Sequence, residues 1–268
     1  MRTYPLFQVD AFTGEAFRGN PAAVCVLDEE RPAAWMQAVA MEMNLSETAF
    51  VRPVADAWSL RWFTPNIEVA LCGHATLATS HVLLTKGYVD ANAPIEFSTA
   101  SGRLRATASA EGISLDFPRR ELSEEDAPEE VLTAVGVTPV ATVRAFTKGE
   151  RGDDWIVELD DEATVRALAP ALAGLRRAGA PSVMVTARGA SYDFVSRFFA
   201  PAVGIDEDPV TGSAHCALGP YWAGKLGKTA MRAFQASARG GELGVTVGQR
   251  RVGLAGQAVT VLEGALRV

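Results

Sequence analysis

Cysteine is scarce in this sequence. Three residues in 268, Cys25, Cys72 and Cys216, are too few and too scattered for a disulfide framework, and they suit a reducing compartment. Basic runs are missing as well. With a net charge of −7 and no Lys/Arg-rich segment, the chain is a poor match for nucleic acid or an anionic membrane, although single basic residues could still bind a small anion. No apolar stretch approaches the roughly 18 residues that a membrane helix needs. The opening MRTYPLFQVDAF has no apolar signal region, so the expected location is the cytoplasm. Low-complexity segments are absent. What is present is ordinary globular composition, 48% hydrophobic and 21% charged, in a chain long enough for two domains.

Short β-type runs dominate. Those at 6–12, 22–27, 46–51, 59–63, 94–99, 103–109 and 113–117 fill the first half. Those at 141–146, 154–159, 181–187, 192–199, 230–236, 242–248, 250–256 and 258–264 fill the second. Helix patterns cover 31–43, 128–136 and 161–172, the last two with acidic first turns. The charged, proline-containing PRRELSEEDAPEE (118–130) reads as a linker. It predicts domains at 1–118 and 128–268, with the option that the last strand returns to the first domain.

The halves repeat one another. Arg61 to Gly87 and Arg197 to Gly227 both begin Arg-aromatic-Phe-x-Pro. Both pass through a loop to a glycine, a short polar residue (His74 or Ser213) and an alanine, and end near Lys and Gly. Each repeat contains a helix that is apolar on nearly every face, which must be buried all round. Strands wrapped round a central helix, twice, answer that need. The expectation is an α+β protein of two pseudo-symmetric domains related by an approximate two-fold axis. Each is a mostly antiparallel β-barrel round one α-helix, with a cleft between them as the place for a ligand.

Within this frame several residues carry chemistry. Gly73 and Gly212 open the two central helices, where unpaired N–H groups and partial positive charge can hold a carboxylate or an oxyanion; the plainer reading is two turn glycines. The helix start disfavours imidazolium at His74, which predicts a neutral ring, acting either as a cap or in proton transfer. Strand alternation puts Glu47 with Leu45, Ala49 and Val51, the polar exception on a face that should be dry. It is either a general acid/base with a raised pKa or an ion-pair partner on a wetter edge. Asp208 caps backbone amides or supplies a second carboxylate. Asn20, between Gly19 and Pro21, is a turn residue or a substrate hydrogen-bonder. Zinc is disfavoured: Cys72, His74, His215 and Cys216 lack the usual ligand spacing. GPYWAGKL (219–226) misses the Ser/Thr and the preceding strand that a phosphate loop requires. His81, mid-helix, reads as a core residue.

FQVDAFTGEAFRGNPAAV, NLSETAFV, RWFTPNIEVALCGHATLA and SRFFAPAVGIDEDPVTGSAHCAL together give the chain a resemblance, over essentially its whole length, to the phenazine-biosynthesis PhzF-like isomerases. That family is similar in fold to diaminopimelate epimerase and proline racemase. The resemblance implies a homodimer, no metal, no organic cofactor, and a small carboxylate substrate, as in isomerisation of a dihydro-hydroxyanthranilate. It implies Glu47, His74 and Asp208 as catalytic residues and Asn20, Ser46, Gly73, Gly212 and Ser213 as substrate contacts. Epimerases of this fold use a Cys-Gly pair at each helix start. Here only Cys72-Gly73 remains, since the second half reads Pro-Val-Thr-Gly, which leaves Cys72 as an accessory group or a remnant. The alternatives are a racemase or epimerase of amino or hydroxy acids, and a ligand-binding protein without catalysis.

Overall fold

The computed structural model describes residues 2–109, 112–147 and 154–268. In chain order the first elements are β1 (Thr3–Ala11), β2 (Asn20–Val26), α1 (Ala33–Met43), β3 (Glu47–Val54), β4 (Ala57–Phe63), β5 (Glu68–Val69), α2 (Gly73–Thr85), β6 (Ile95–Thr99), β7 (Gly102–Ser109) and β8 (Gly112–Pro118). Then come β9 (Glu121–Ser123), α3 (Glu129–Val135), β10 (Ala141–Phe146), β11 (Asp154–Glu158), α4 (Glu162–Ala167), α5 (Leu172–Ala178), β12 (Val183–Arg188), β13 (Phe194–Ala200) and β14 (Ile205–Asp208). The chain ends with α6 (Gly212–Leu226), β15 (Ala230–Gln235), β16 (Gly241–Val247), β17 (Arg251–Gly256) and β18 (Ala258–Arg267). It forms two compact units. One is the chain through Phe117 together with Leu254–Val268; the other is Pro118–Gly253.

The fold is α+β, and each unit wraps a mostly antiparallel sheet round one helix. In the first unit β18, β1 and β2 run antiparallel, as do β3 with β4 and β6 with β7 and β8. Pairing turns parallel where a helix intervenes, β2–β3 across α1 and β4–β6 across α2. The second unit repeats this order. β9–β10–β11 and β12–β13 are antiparallel, while β11–β12 is parallel across α4 and α5, and β13–β15 is parallel across α6. The repeated Arg-aromatic-Phe motif does the same job in both. Arg61 grips Glu68 with two hydrogen bonds of 2.7 and 2.8 Å, and Arg197 grips Glu207 at 2.8 and 2.9 Å. These forks tie β4 to β5 and β13 to β14, the short strands that deliver the chain to the central helices.

α2 packs on β1, β2, β3 and β18. Its polar residues survive burial by bonding back along the helix. Thr76 Oγ1 donates to the Cys72 carbonyl at 2.5 Å, Thr79 to Ala75 at 2.7 Å and Ser80 to Thr76 at 2.8 Å. His81 is only partly buried and meets the Thr260 hydroxyl on β18 at 3.1 Å, so it is not the core residue expected. In α6, Pro220 has no N–H for the carbonyl of Cys216, four residues earlier; the Arg120 amide donates to that carbonyl instead, at 3.1 Å.

Two local expectations need correction. Residues 118–123 are not linker, because β9 is a paired strand and Arg120, beside it, makes a partly buried ion pair with Asp154. The helix expected over 161–172 ends at Ala167. Pro170 disfavours helical geometry in the residue before it, and a separate helix, α5, follows.

Candidate active site

In the first unit two strands and a helix start converge on one imidazole. Asn20 opens β2, next to β3, which Glu47 opens; their neighbours pair in parallel, Ala22 with Glu47. Gly19 makes this possible: it sits at φ +64°, and a Cβ there would run into the Ala11 carbonyl. His74 follows Gly73 in the first turn of α2. Its Nε2 lies 3.1 Å from Glu47 Oε2, with the side chains 6% and 13% exposed. The two atoms are close but not aligned for a hydrogen bond, and neither has a hydrogen-bond partner. On the other edge of the ring, Nδ1 faces Asn20 Nδ2 at 3.2 Å and Cys72 Sγ at 3.6 Å. The Ser46 hydroxyl completes the set, 3.3 Å from Asn20 Oδ1.

The electrostatics differ from expectation. Burial works against an imidazolium at His74, but negative charge beside it, on Cys72 when ionised and on Glu47, outweighs burial and holds its pKa well above the ordinary value. Burial pushes the Cys72 thiol up, so at neutral pH it is protonated and Glu47 is the partner that matters. The helix start alone favours a neutral ring; the carboxylate across from it reverses that preference.

The second unit builds its helix start differently. Asp208 ends β14, buried, and its carboxylate accepts the Thr211 hydroxyl at 2.5 Å. The fully buried amide of Gln235 binds the same loop at three points: it accepts from the Thr211 N–H at 2.8 Å and donates to the Asp208 carbonyl at 2.7 Å and to Thr211 Oγ1 at 3.1 Å. Gly212 is buried and Ser213 exposed at the first turn of α6. Cys72 and Thr211 are equivalent N-caps, yet neither side chain closes its helix start. The thiol faces His74 and the hydroxyl faces Asp208, which leaves the helix-start amides to other partners.

Glu47, Cys72 and His74 bring one donor atom each within 4.8 Å of one another. The sulfur, however, approaches Nδ1 whereas the carboxylate approaches Nε2. The lone pairs of the two ring nitrogens diverge, so one cation in line with either nitrogen is badly placed for one of the other ligands, and the trio does not fit a tetrahedral metal. Sequence reasoning missed Thr211 and Gln235, and also Asp10. Asp10 is buried in β1 and accepts the Phe17 N–H at 2.7 Å, holding the loop that leads to Asn20. A lone Asp within the apolar run LFQVDAF was the available signal.

The comparisons agree with this architecture. A family model described as phenazine biosynthesis-like protein matches residues 9–264. An uncharacterized isomerase of Halalkalibacterium halodurans is 50% identical over 99% of both chains. A crystal structure of a PhzF-family phenazine biosynthesis protein from Enterococcus faecalis superposes with a TM-score of 0.92 at 41% identity, covering 100% of both chains. A probable proline racemase from Agrobacterium radiobacter shares the fold, with a TM-score of 0.66 at 15% identity over 99% of this chain and 92% of its own. The chain thus belongs to the phenazine biosynthesis-like (PhzF) family, and it is an isomerase.

Proposed function

We propose that this isomerase moves a proton within a small carboxylated substrate, as in isomerisation of trans-2,3-dihydro-3-hydroxyanthranilate, and does so without a cofactor. The observation that carries the reading is the contact between Glu47 and His74. A carboxylate sits 3.1 Å from an imidazole at an open helix start, both nearly dry, and neither atom is committed to a hydrogen bond. Glu47 takes the proton from carbon and returns it at another position. His74 and the first-turn amides of α2, from Gly73 on, steady the negative charge that forms; one such donor contributes about 3–4 kcal/mol in comparable sites. Within the second unit, Asp208 is a buried carboxylate, and Gly212 and Ser213 begin α6.

The test is proton exchange. The protein is incubated in D2O with 3-hydroxyanthranilate and related cyclic carboxylic acids, including dihydro forms, and loss of C–H signal is followed by NMR. The wild type is expected to exchange at least one of them. Glu47→Gln is expected to slow exchange on the order of 10²–10⁴-fold. Equal rates in wild type and Glu47→Gln would overturn the assignment. A second reading, racemisation, draws support from Cys72 beside His74; it predicts that single enantiomers of amino or hydroxy acids lose optical activity and that Cys72→Ser abolishes this.

A further inference from the structure

Asn20 is 0% exposed, so a substrate cannot reach its amide without displacing what covers it. What the amide does reach is His74. Its Nδ2 lies 3.2 Å from the ring Nδ1, and its Oδ1 is 3.3 Å from the Ser46 hydroxyl. An amide nitrogen carries hydrogens and no available lone pair, so it can meet a bare ring nitrogen but not a ring N–H. The second neighbour of Nδ1 makes the same demand: the Cys72 thiol, 3.6 Å away, is a donor, and burial pushes its pKa up. In the neutral ring, two donors therefore converge on one nitrogen. The titratable groups facing the ring are Cys72 on this edge and Glu47 on the other.

We propose that Asn20 is a positioning residue for His74 and not a substrate contact: held by Ser46, its amide keeps Nδ1 as an acceptor and so places the proton of the neutral ring on Nε2, against Glu47. The inference rests on the reading that Glu47 and His74 carry the reaction. Its consequence is that Glu47 faces an N–H and not a second lone pair. With the proton on Nδ1, two lone pairs would oppose each other across 3.1 Å.

The experiment is ¹⁵N NMR of histidine-labelled protein, which has three histidines, titrated upward to a pH above the raised His74 pKa, where its ring is neutral. The His74 signals are assigned by their loss in His74→Gln. The wild type is expected to show a protonated Nε2 and an acceptor Nδ1. Asn20→Asp, nearly isosteric, puts a carboxylate opposite Nδ1 and is expected to draw the proton there. Its kcat is expected to fall on the order of 10²–10⁴-fold with KM within about twofold. Should Asn20→Asp not fold, Ser46→Ala removes one of the contacts that hold the amide and is expected to raise the share of the Nδ1–H tautomer. A wild-type proton on Nδ1 would overturn the proposal. So would an unchanged tautomer in these variants, or a rise in KM alone. The tautomer is read without substrate, so absence of any proton exchange by the wild type would sink the proposed reaction and leave the NMR result standing.

Discussion

Two histidines in the first turns of the central helices answer burial in opposite ways. His74 has a carboxylate beside it and its pKa rises; His215 has none. Its Nδ1 lies 2.8 Å from the Thr211 carbonyl, its ring stacks on Phe194, and its Nε2 has no hydrogen-bond partner. Burial pushes its pKa down to about 4. The signs for stability follow. The raised His74 pKa gives a contribution that is complete below the unfolded value near 6.5 and is lost as pH climbs through the folded value. The lowered His215 pKa gives a contribution that is complete above about 6.5 and is lost as pH falls, amounting to about 3 kcal/mol by pH 4. Urea unfolding at pH 7 and pH 4 should show a smaller acid loss in His215→Gln than in the wild type by roughly that amount; equal losses would refute it. At this scale Glu47 was legible as a polar residue in an apolar strand pattern, and His74 by its place at a glycine-led helix start. Gln235 was not, because its partners Asp208 and Thr211 lie 27 and 24 positions away and meet it only when β15 pairs beside β13.

Among the elements, α6 shows how closely a central helix is gripped. A Cβ on Gly219 would lie 2.8 Å from Val245 Cγ1 and 3.3 Å from Val247 Cγ2, both on β16 and both stiff at χ1. At Gly224, on the same helix, a Cβ meets nothing within 4 Å. Gly219→Ala is therefore expected to destabilise the protein by about 1–3 kcal/mol through overpacking. Gly224→Ala should stabilise it by up to about 1 kcal/mol through helix propensity. Urea midpoints of the two variants decide the matter, and a shift in the same direction for both would contradict this packing. Longer strands and both central helices were readable from alternation and apolar runs. β5, β9 and β14 were not, since two to four residues are too few to display a period. Their existence depends on neighbours, and for β5 and β14 on the Arg–Glu forks that pin them.

For the whole molecule, the repeat was visible as Arg-aromatic-Phe-x-Pro and its glycine, and the structure shows the same strand order in both units. Partnership was less legible. Alternation marks 258–264 as a strand, but nothing local says that it lies along β1, nine residues to nine, with a register shift between Gln8 and Val9. A chain ending at Gly256 would strip β1 of that neighbour and α2 of one wall. Hydrogen exchange is expected to show loss of protection in 3–11 and 73–85 while the interior of Pro118–Gly253 keeps it; undiminished protection of α2 would show β18 to be dispensable. The return of β18 also orders events during translation. A nascent chain emerges from its first residue onward, yet the unit that holds Glu47 and His74 cannot close until the last fifteen residues have left the ribosome, after every strand of the other unit has been made. The half synthesised first is completed last, and until then the edge of β1 that β18 covers stays open.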